Sequence, residues 1–483
     1  MTQDSITRLA RATLLASFPG AEPPRWLLDE LAQGLGGVTL FAINGNVPGA
    51  EELAALTAKL GDAIITIDEE GGDVTRLAHL TGSPYPGSAA LGVVDDVELT
   101  QQIYRSLGAE LTEVGVNLNF APSVDVNTAD DNPIIGTRAF GSDPDLVARH
   151  TAAAVTGLQE AGVAACAKHF PGHGATLGDS HLGLPIVNAD LDLLHRRELV
   201  PFTAAIAAGT KSIMTAHITI PALTGDDPAT LSARAITGLL REELGYDGVI
   251  VSDALDMKGA SGVIGIPEAA VRALIAGADL LCLGSREYAD SVHAIQAAIV
   301  AAVREGRLPE ERLAAAADRV AALRTWQASA GGGGRAADRA AGLEAARRAV
   351  RVTGDPTTSG NPLVVQLSAT SNIAAGPVPW GLSPWTDDVV GVDGRTADPA
   401  LLLARATGRS LVIVVRDAHR NEDQRSFAET LLAARPDAIV LEMGLPIWQP
   451  PGTHIATFGA TRAGGQAAAE LLGLIPDAKI SRC

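Results

Sequence analysis

Eight short, nearly unbroken apolar runs restrict the fold of this chain more than any other feature. They are Ala12–Phe18, Gly37–Ala42, Ala63–Asp68, Val116–Ala121, Ala164–His169, Ser212–His217, Gly248–Asp253 and Ala278–Leu283. Each is continuous rather than alternating, the pattern of a parallel strand covered on both faces. Amphipathic Ala/Leu-rich stretches of helix length separate them. Strand followed by helix, eight times over, predicts a (β/α)8 TIM-type barrel, with an open doubly wound sheet as the competing arrangement.

The chain has 483 residues, too many for one ordinary core. Ala330 and the four glycines Gly331–Gly334 follow the last barrel helix, and such a run holds neither helix nor strand. A helical stretch, Ala336–Arg351, comes next. Apolar runs then recur at Leu363–Leu367, Leu411–Val415, Ala438–Glu442 and His454–Thr457, with helical Gln424–Ala434 and Gly464–Leu472 among them. The reading is a catalytic barrel over 1–328, a Gly-rich linker and connecting helix over 329–351, and a smaller α/β sandwich domain over 352–483.

Ionisable and polar residues gather where the barrel runs end: Asp68-Glu69-Glu70, Asn119, Asp125, Lys168-His169, His217 and Ser252-Asp253. In a barrel the C-terminal ends of all strands meet on one face, so these distant groups are expected around one site. The segment from Lys168 to His181, KHFPGHGATLGDSH, is the densest in chemistry, with three histidines, a lysine and an aspartate in a Gly/Pro-rich loop. His169, His173, Asp179 and His181 admit a metal site, although Lys168 would set a positive charge beside the cation. They also admit a structural reading as loop hydrogen-bonders, which suits His173 between two glycines. The third reading is acid–base chemistry: Asp179 lies two residues before His181, close enough in a turn to fix its tautomer for proton transfer near neutral pH.

Asp253 ends a strand in VIVSDALDM. It suits attack on an anomeric carbon or metal ligation, and equally a helix N-cap. Asp256 is expected in the first turn of the helix that follows, and Met257 beside it is a candidate substrate contact. In IDEEGGDVTR, Asp68 ends a strand and Arg76 lies beyond a Gly-Gly turn, a pairing suited to clamping sugar hydroxyls. Arg138 in GTRAFG supplies another loop cation.

Taken together these pieces resemble glycoside hydrolase family 3, specifically its β-N-acetylglucosaminidase branch. The resemblance rests on Lys168 to Gly174, Asp179-Ser180-His181 and Leu184-Pro185. It extends to Asp68, Glu70, Gly71, Gly72 and Arg76, to Phe120-Ala121-Pro122 with Arg138 and Phe140, and to Met214 through His217. It covers the whole barrel. It implies removal of terminal β-linked N-acetylglucosamine with Asp253 as nucleophile and His181, polarised by Asp179, as acid/base. Asp68, Arg76, Arg138, Lys168 and His169 would bind the sugar, and His217 would support the site from behind. Glu69 stands where glutamine is common and Ala254 where a second aspartate is common. Neither change removes a catalytic group.

The implied mechanism retains configuration through a glycosyl-Asp intermediate. Retaining glycosidases usually pair two carboxyls about 5–5.5 Å apart; here a histidine replaces one. A histidine that has given up its proton is neutral and does not repel an anionic acceptor, an effect worth about 1–4 kcal/mol at a few ångströms. A β-N-acetylglucosaminide phosphorylase is therefore one alternative. A dual-specificity β-glucosidase and a metal-dependent barrel hydrolase are others.

The remaining expectations are exclusions. A net charge of −19 repels nucleic-acid backbones. Three cysteines, Cys166, Cys282 and Cys483, form no disulfide framework. No run spans a bilayer, and Asp4, Arg8 and Arg11 interrupt the start as no secretory signal would. The expected partner is a small carbohydrate, with no cofactor and no metal, in a cytoplasmic setting; oligomeric state is not legible.

Overall fold

The computed structural model describes residues 2–286, 288–330, 336–370 and 372–475; the run Gly331–Gly334 and Cys483 lie outside them. The chain divides into two compact units. The first comprises Met1–Glu70, Thr100–Ile135 and Gly141–Ala337; the second comprises Gly71–Leu99, Gly136–Phe140 and Asp338–Cys483.

All eight apolar runs of the first unit carry strands. They are β1 (Leu14–Ala16), β2 (Gly37–Thr39), β3 (Ile64–Ile67), β4 (Leu118–Asn119), β5 (Ala164–Phe170), β6 (Ser212–Thr215), β7 (Val249–Ser252) and β8 (Leu280–Cys282). The strands pair in chain order, and β8 closes on β1 in parallel to complete a barrel. The open doubly wound alternative is thereby excluded. Every barrel strand except β2 sends side chains into one cluster, including Leu15, Ile64, Leu118, Cys166, Met214, Val251 and Leu280. Val320 and Leu323 from the helix Glu310–Ala330 join them. Burial on both faces is the physical origin of the unbroken apolar runs. Cys166 and Cys282 are buried free thiols in this barrel.

Local chemistry delimits the helices between the strands. Pro144–Glu160 starts where the Asp143 carboxylate accepts the Asp145 N–H and Pro144 takes the first helical position. Among the described residues no helix is long and apolar enough to cross a membrane.

The second unit holds a six-stranded sheet. Its strands are β9 (Arg351–Thr353), β10 (Leu363–Leu367), β11 (Val389–Val392), β12 (Leu411–Val415), β13 (Ile439–Glu442) and β14 (Thr453–Ala456), in the order β11-β10-β12-β13-β14-β9. All neighbours are parallel except β14 and β9. Alternate residues divide between two cores. Leu363, Val365, Ile413 and Val440 pack with Phe427 and Leu431 on one face; Val364, Val412, Leu441 and Ile455 pack with Ala468 and Leu472 on the other. The sequence reading lacked β9 and β11, and both lie at the edges. Arg351–Thr353 is exposed along its length and Val389–Val392 is half-buried around Gly391, so neither carries the apolar density of a covered strand.

Candidate active site

The C-terminal ends of β3, β4, β5, β6 and β7 assemble one polar cluster in the first unit. Lys168 is its buried centre. The Lys168 ammonium lies 2.6 Å from Asp68 Oδ1 and 2.7 Å from Glu70 Oε1. Asp68 is about one-fifth exposed while Lys168 and Glu70 are almost fully buried, so Asp68 is the member of this triad open to a ligand. The turn bearing the two acids is held by Asn119 at the end of β4. The Asn119 side-chain oxygen accepts the Glu69 N–H at 3.0 Å, and its side-chain NH2 donates to the Glu69 carbonyl at 2.7 Å.

A bulge shapes the end of β5. Cys166 and Ala167 pair with Ser212 and Ile213, but Phe170 pairs with Thr215, so one extra residue lies on the β5 side. Such a bulge breaks the two-residue alternation of a strand and re-aims side chains. Lys168 accordingly turns to β3 while His169 turns to Asp125. The segment after β4 runs beside β5, with the Val124 N–H donating to the Lys168 carbonyl at 2.6 Å, and this delivers Asp125.

Asp125 is fully buried and accepts four hydrogen bonds. The donors are His169 Nδ1 at 2.8 Å, the His169 N–H at 3.3 Å, the His173 N–H at 2.6 Å and the Ser123 hydroxyl at 2.9 Å. Burial by itself would push Asp125 upward, but His169, His173 and these donors outweigh it and hold its pKa below the ordinary carboxylate value. An ionised Asp125 can only accept, so Nδ1 of His169 carries a proton and Nε2 is the nitrogen turned elsewhere. Sequence reasoning noted Asp125 and Asn119 as strand-end polar residues and assigned neither a role.

In the loop beyond β5, His181 Nδ1 lies 2.7 Å from Asp179 Oδ1, and the same oxygen accepts the His181 N–H at 2.9 Å. The pair expected from the spacing thus forms. Burial opposes the Asp179 charge, yet the bonds from His181 hold its pKa below the ordinary value. His181 is partly exposed, as a group that meets a ligand must be. Both ring nitrogens of His173 are engaged, by the Thr176 hydroxyl at 2.8 Å and the Ser180 hydroxyl at 3.2 Å. His173 is therefore committed to its own loop and has no nitrogen left for a metal. Among the described residues, no group of three or more His, Cys, Asp or Glu side chains could hold a metal ion.

Asp253 follows β7 and receives the Ala254 N–H on Oδ1 at 2.8 Å. Burial would raise its pKa; His217, His169, His181 and the Ala254 N–H together hold it below the ordinary range. His217 is fully buried between the Thr230 hydroxyl (2.8 Å to Nδ1) and the Ala254 carbonyl (3.0 Å to Nε2). It steadies the backbone beside Asp253, and with both nitrogens taken it offers none to a sugar. Met257 is buried just before the short helix Lys258–Ser261. Asp256 is not in the first turn of that helix. It lies in the preceding turn, where its carboxylate accepts the Ser285 N–H beyond β8 at 3.0 Å.

Arg76 and Arg138 fall in the second unit. The Arg76 guanidinium donates to the carbonyls of Ala374 (2.6 Å) and Ala375 (3.4 Å). Arg138 is buried at the end of the 3₁₀ turn Gly136–Arg138. Next to it, the Thr137 hydroxyl donates to Asp73 at 2.7 Å, and Asp73 also receives the Ala460 N–H at 2.6 Å and pairs with Arg416 at 3.2 Å.

A closed parallel barrel with carboxylates and an aspartate-steered imidazole at its strand ends has the layout of a TIM-barrel enzyme. The Glycosyl hydrolase family 3 N terminal domain matches residues 30–323, and the chain belongs to glycosyl hydrolase family 3. Among curated relatives, Beta-hexosaminidase A of Pseudoalteromonas piscicida is 37% identical over 321 residues, covering 60% of this chain and 53% of that protein. The chain thus spans about half the length of that relative. Beta-hexosaminidase LpqI of Mycobacterium tuberculosis is 38% identical over 267 residues, covering 54% of this chain and 67% of that protein. Among solved structures, a glycoside hydrolase family 3 beta-N-acetylglucosaminidase from Paenibacillus sp. str. FPU-7 superposes with a TM-score of 0.86 at 34% identity, covering 97% of each chain.

Proposed function

We propose that this protein is a retaining exo-β-N-acetylglucosaminidase, acting on muropeptides or chitooligosaccharides. What supports the reading is that the loop bearing the Asp179–His181 pair rests on the segment that follows Asp253, the Ser180 carbonyl accepting the Gly259 N–H at 3.3 Å. The names of the relatives, β-hexosaminidase and β-N-acetylglucosaminidase, support the sugar.

In this mechanism the Asp253 carboxylate attacks the anomeric carbon, the bond to the leaving oxygen breaks, and His181 gives that oxygen its proton from Nε2. The configuration inverts and a glycosyl ester forms on Asp253. His181, now neutral, takes a proton from water; the water oxygen bonds to the anomeric carbon, and Asp253 departs as carboxylate. Inversion twice restores the β configuration. Asp179 accepts from Nδ1 and so leaves Nε2 to face the reaction. Asp68, steadied by Lys168, accepts hydrogen bonds from sugar hydroxyls, and His169, anchored by Asp125, contributes to sugar binding.

The test is covalent trapping with a 5-fluoro N-acetylglucosaminyl fluoride. Fluorine beside the ring oxygen slows both steps, and the fluoride leaving group restores the first. Peptide mapping is expected to find the label on Asp253; a label elsewhere, or none alongside normal turnover, overturns the assignment. Product analysis in millimolar phosphate decides the acceptor: N-acetylglucosamine 1-phosphate marks a phosphorylase, and free sugar alone marks a hydrolase.

A further inference from the structure

Ser180 stands between Asp179 and His181 and is held from two directions. On its side-chain face, the hydroxyl lies 3.2 Å from Nε2 of His173. The direction of that bond follows from the neighbouring groups. The Thr176 hydroxyl donates its single proton to the His173 carbonyl at 3.0 Å, so at 2.8 Å from Nδ1 it can only accept, and Nδ1 bears the proton. Burial holds His173 down to about 4, so the ring is neutral at physiological pH. Nε2 is then a bare acceptor, and the Ser180 hydroxyl donates to it. His173 is itself fixed: its N–H goes to Asp125, and its carbonyl accepts from the Asn132 amide at 3.0 Å.

On the backbone side, the Ser180 carbonyl accepts the N–H of Gly259 at 3.3 Å, from the short helix that follows Asp253. Gly259 is small of necessity. A Cβ there would stand 3.0 Å from the carbonyl oxygens of both Ser180 and Gly183 and 2.9 Å from Cβ of His217. The loop carrying His181 thus lies directly on the segment that continues from Asp253. Gly174 next to His173 is equally confined, since a Cβ would meet the Val126 carbonyl at 2.0 Å.

We propose that Ser180 is a positioning residue that latches the Asp179–His181 pair over Asp253, gripped by His173 on one side and by Gly259 on the other. The proposal rests on the reading of His181 as acid/base. Its chemical content is that freeing Ser180 impairs proton delivery to the leaving oxygen and leaves nucleophilic attack by Asp253 largely intact. A misplacement of about 1 Å costs on the order of 100-fold in a step that depends on orientation.

The experiment compares Ser180→Ala, Ser180→Thr and His181→Ala on two aryl N-acetylglucosaminides. One is a phenyl glycoside, whose leaving group needs a proton. The other is a 2,4-dinitrophenyl glycoside, whose leaving group does not. His181→Ala tests the underlying reading: it must lose far more kcat/KM on the phenyl than on the dinitrophenyl substrate, and equal losses sink the acid/base role itself. With that reading intact, Ser180→Ala is expected to lose about 10- to 100-fold on the phenyl glycoside and less than about 3-fold on the dinitrophenyl glycoside. It should also flatten the alkaline limb of the pH profile, and Ser180→Thr, which keeps the hydroxyl, should restore most of the rate. Equal losses on both substrates, or none on either, overturn the latch. Should Ser180→Ala not fold, Ser180→Cys, which fills the same space but donates only weakly to Nε2 of His173, carries the same comparison with the same two outcomes.

Discussion

Asn119 binds both backbone polar atoms of Glu69, accepting from its N–H at 3.0 Å and donating to its carbonyl at 2.7 Å. One side-chain amide thereby continues the ladder between β3 and β4 past the last regular pair, Ile67 and Asn119. It fixes the turn on which Asp68 and Glu70 stand. Asn119→Asp keeps the shape and the acceptor but replaces the donor with an oxygen facing the Glu69 carbonyl. The bond is buried, so the loss is expected to be about 1–3 kcal/mol in stability, and KM should rise as Asp68 loses its orientation. Urea denaturation and steady-state kinetics on the same preparation measure both, and a variant with unchanged KM would separate this bond from sugar binding.

Asp125 gathers His169, His173 and Ser123 through one carboxylate. Its pKa lies below the ordinary value, so it contributes stability above the unfolded pKa, lost as pH falls through the folded one. Asp125→Asn turns one acceptor into a donor against N–H groups. Activity is expected to drop by about 100-fold or more as the β5 loop loses its anchor. Denaturation midpoints followed as pH falls through and below 3.8 should drop less steeply in the variant than in the wild type; parallel curves would remove Asp125 from the account of acid stability.

Much of the barrel was legible because its strands are covered on both faces, so that Leu14–Ala16 or Val249–Ser252 reads as an unbroken apolar run. The pairing of Asp179 with His181 was legible because the partners are two residues apart. Asp125 and His169 lie 44 positions apart, and Asn119 and Glu69 lie 50 apart. No local pattern ties such partners together; only barrel closure does. The bulge at Lys168 and His169 was hidden too, since a register shift leaves no mark on composition. Asp256 looked like a helix-start residue because Asp favours that place, but the strand end of β8 claimed it first.

Lys168 sits between two carboxylates, at 2.6 Å from Asp68 and 2.7 Å from Glu70. Removing the cation alone leaves two acids sharing one buried site. Lys168→Met is therefore expected to cost about 3–5 kcal/mol. Adding Glu70→Gln removes one of the two acids that face the missing ammonium, and the double variant should recover part of that loss. Sugar affinity should not return with it, because Asp68 still lacks its partner. A double-mutant cycle on unfolding free energies, run beside inhibitor titrations, reads the two effects separately; additive stabilities would mean that Lys168 and Glu70 are not coupled.

Glu198 packs its side chain into the space a residue larger than Gly172 would need, beside the loop that carries His173. Arg197 holds Oε1 at 2.7 Å, while Oε2 is buried with no hydrogen-bond partner among the described residues. Burial pushes its pKa from 4.5 up to about 7 against the pull of Arg197. Below pH 4.5 both folded and unfolded chains keep this proton. Between 4.5 and 7 the unfolded chain releases it and the folded chain does not, so the group favours unfolding increasingly as pH rises through that window, and the effect is constant above it. The full effect is roughly 3 kcal/mol. Glu198→Gln cannot titrate. Its stability relative to wild type is therefore expected to improve steadily from pH 4.5 to pH 7 and then level off. Thermal melts of both proteins across that range test this. A stability difference that does not change with pH would show that Glu198 is ionised in the folded protein at every pH where the chain ionises it unfolded.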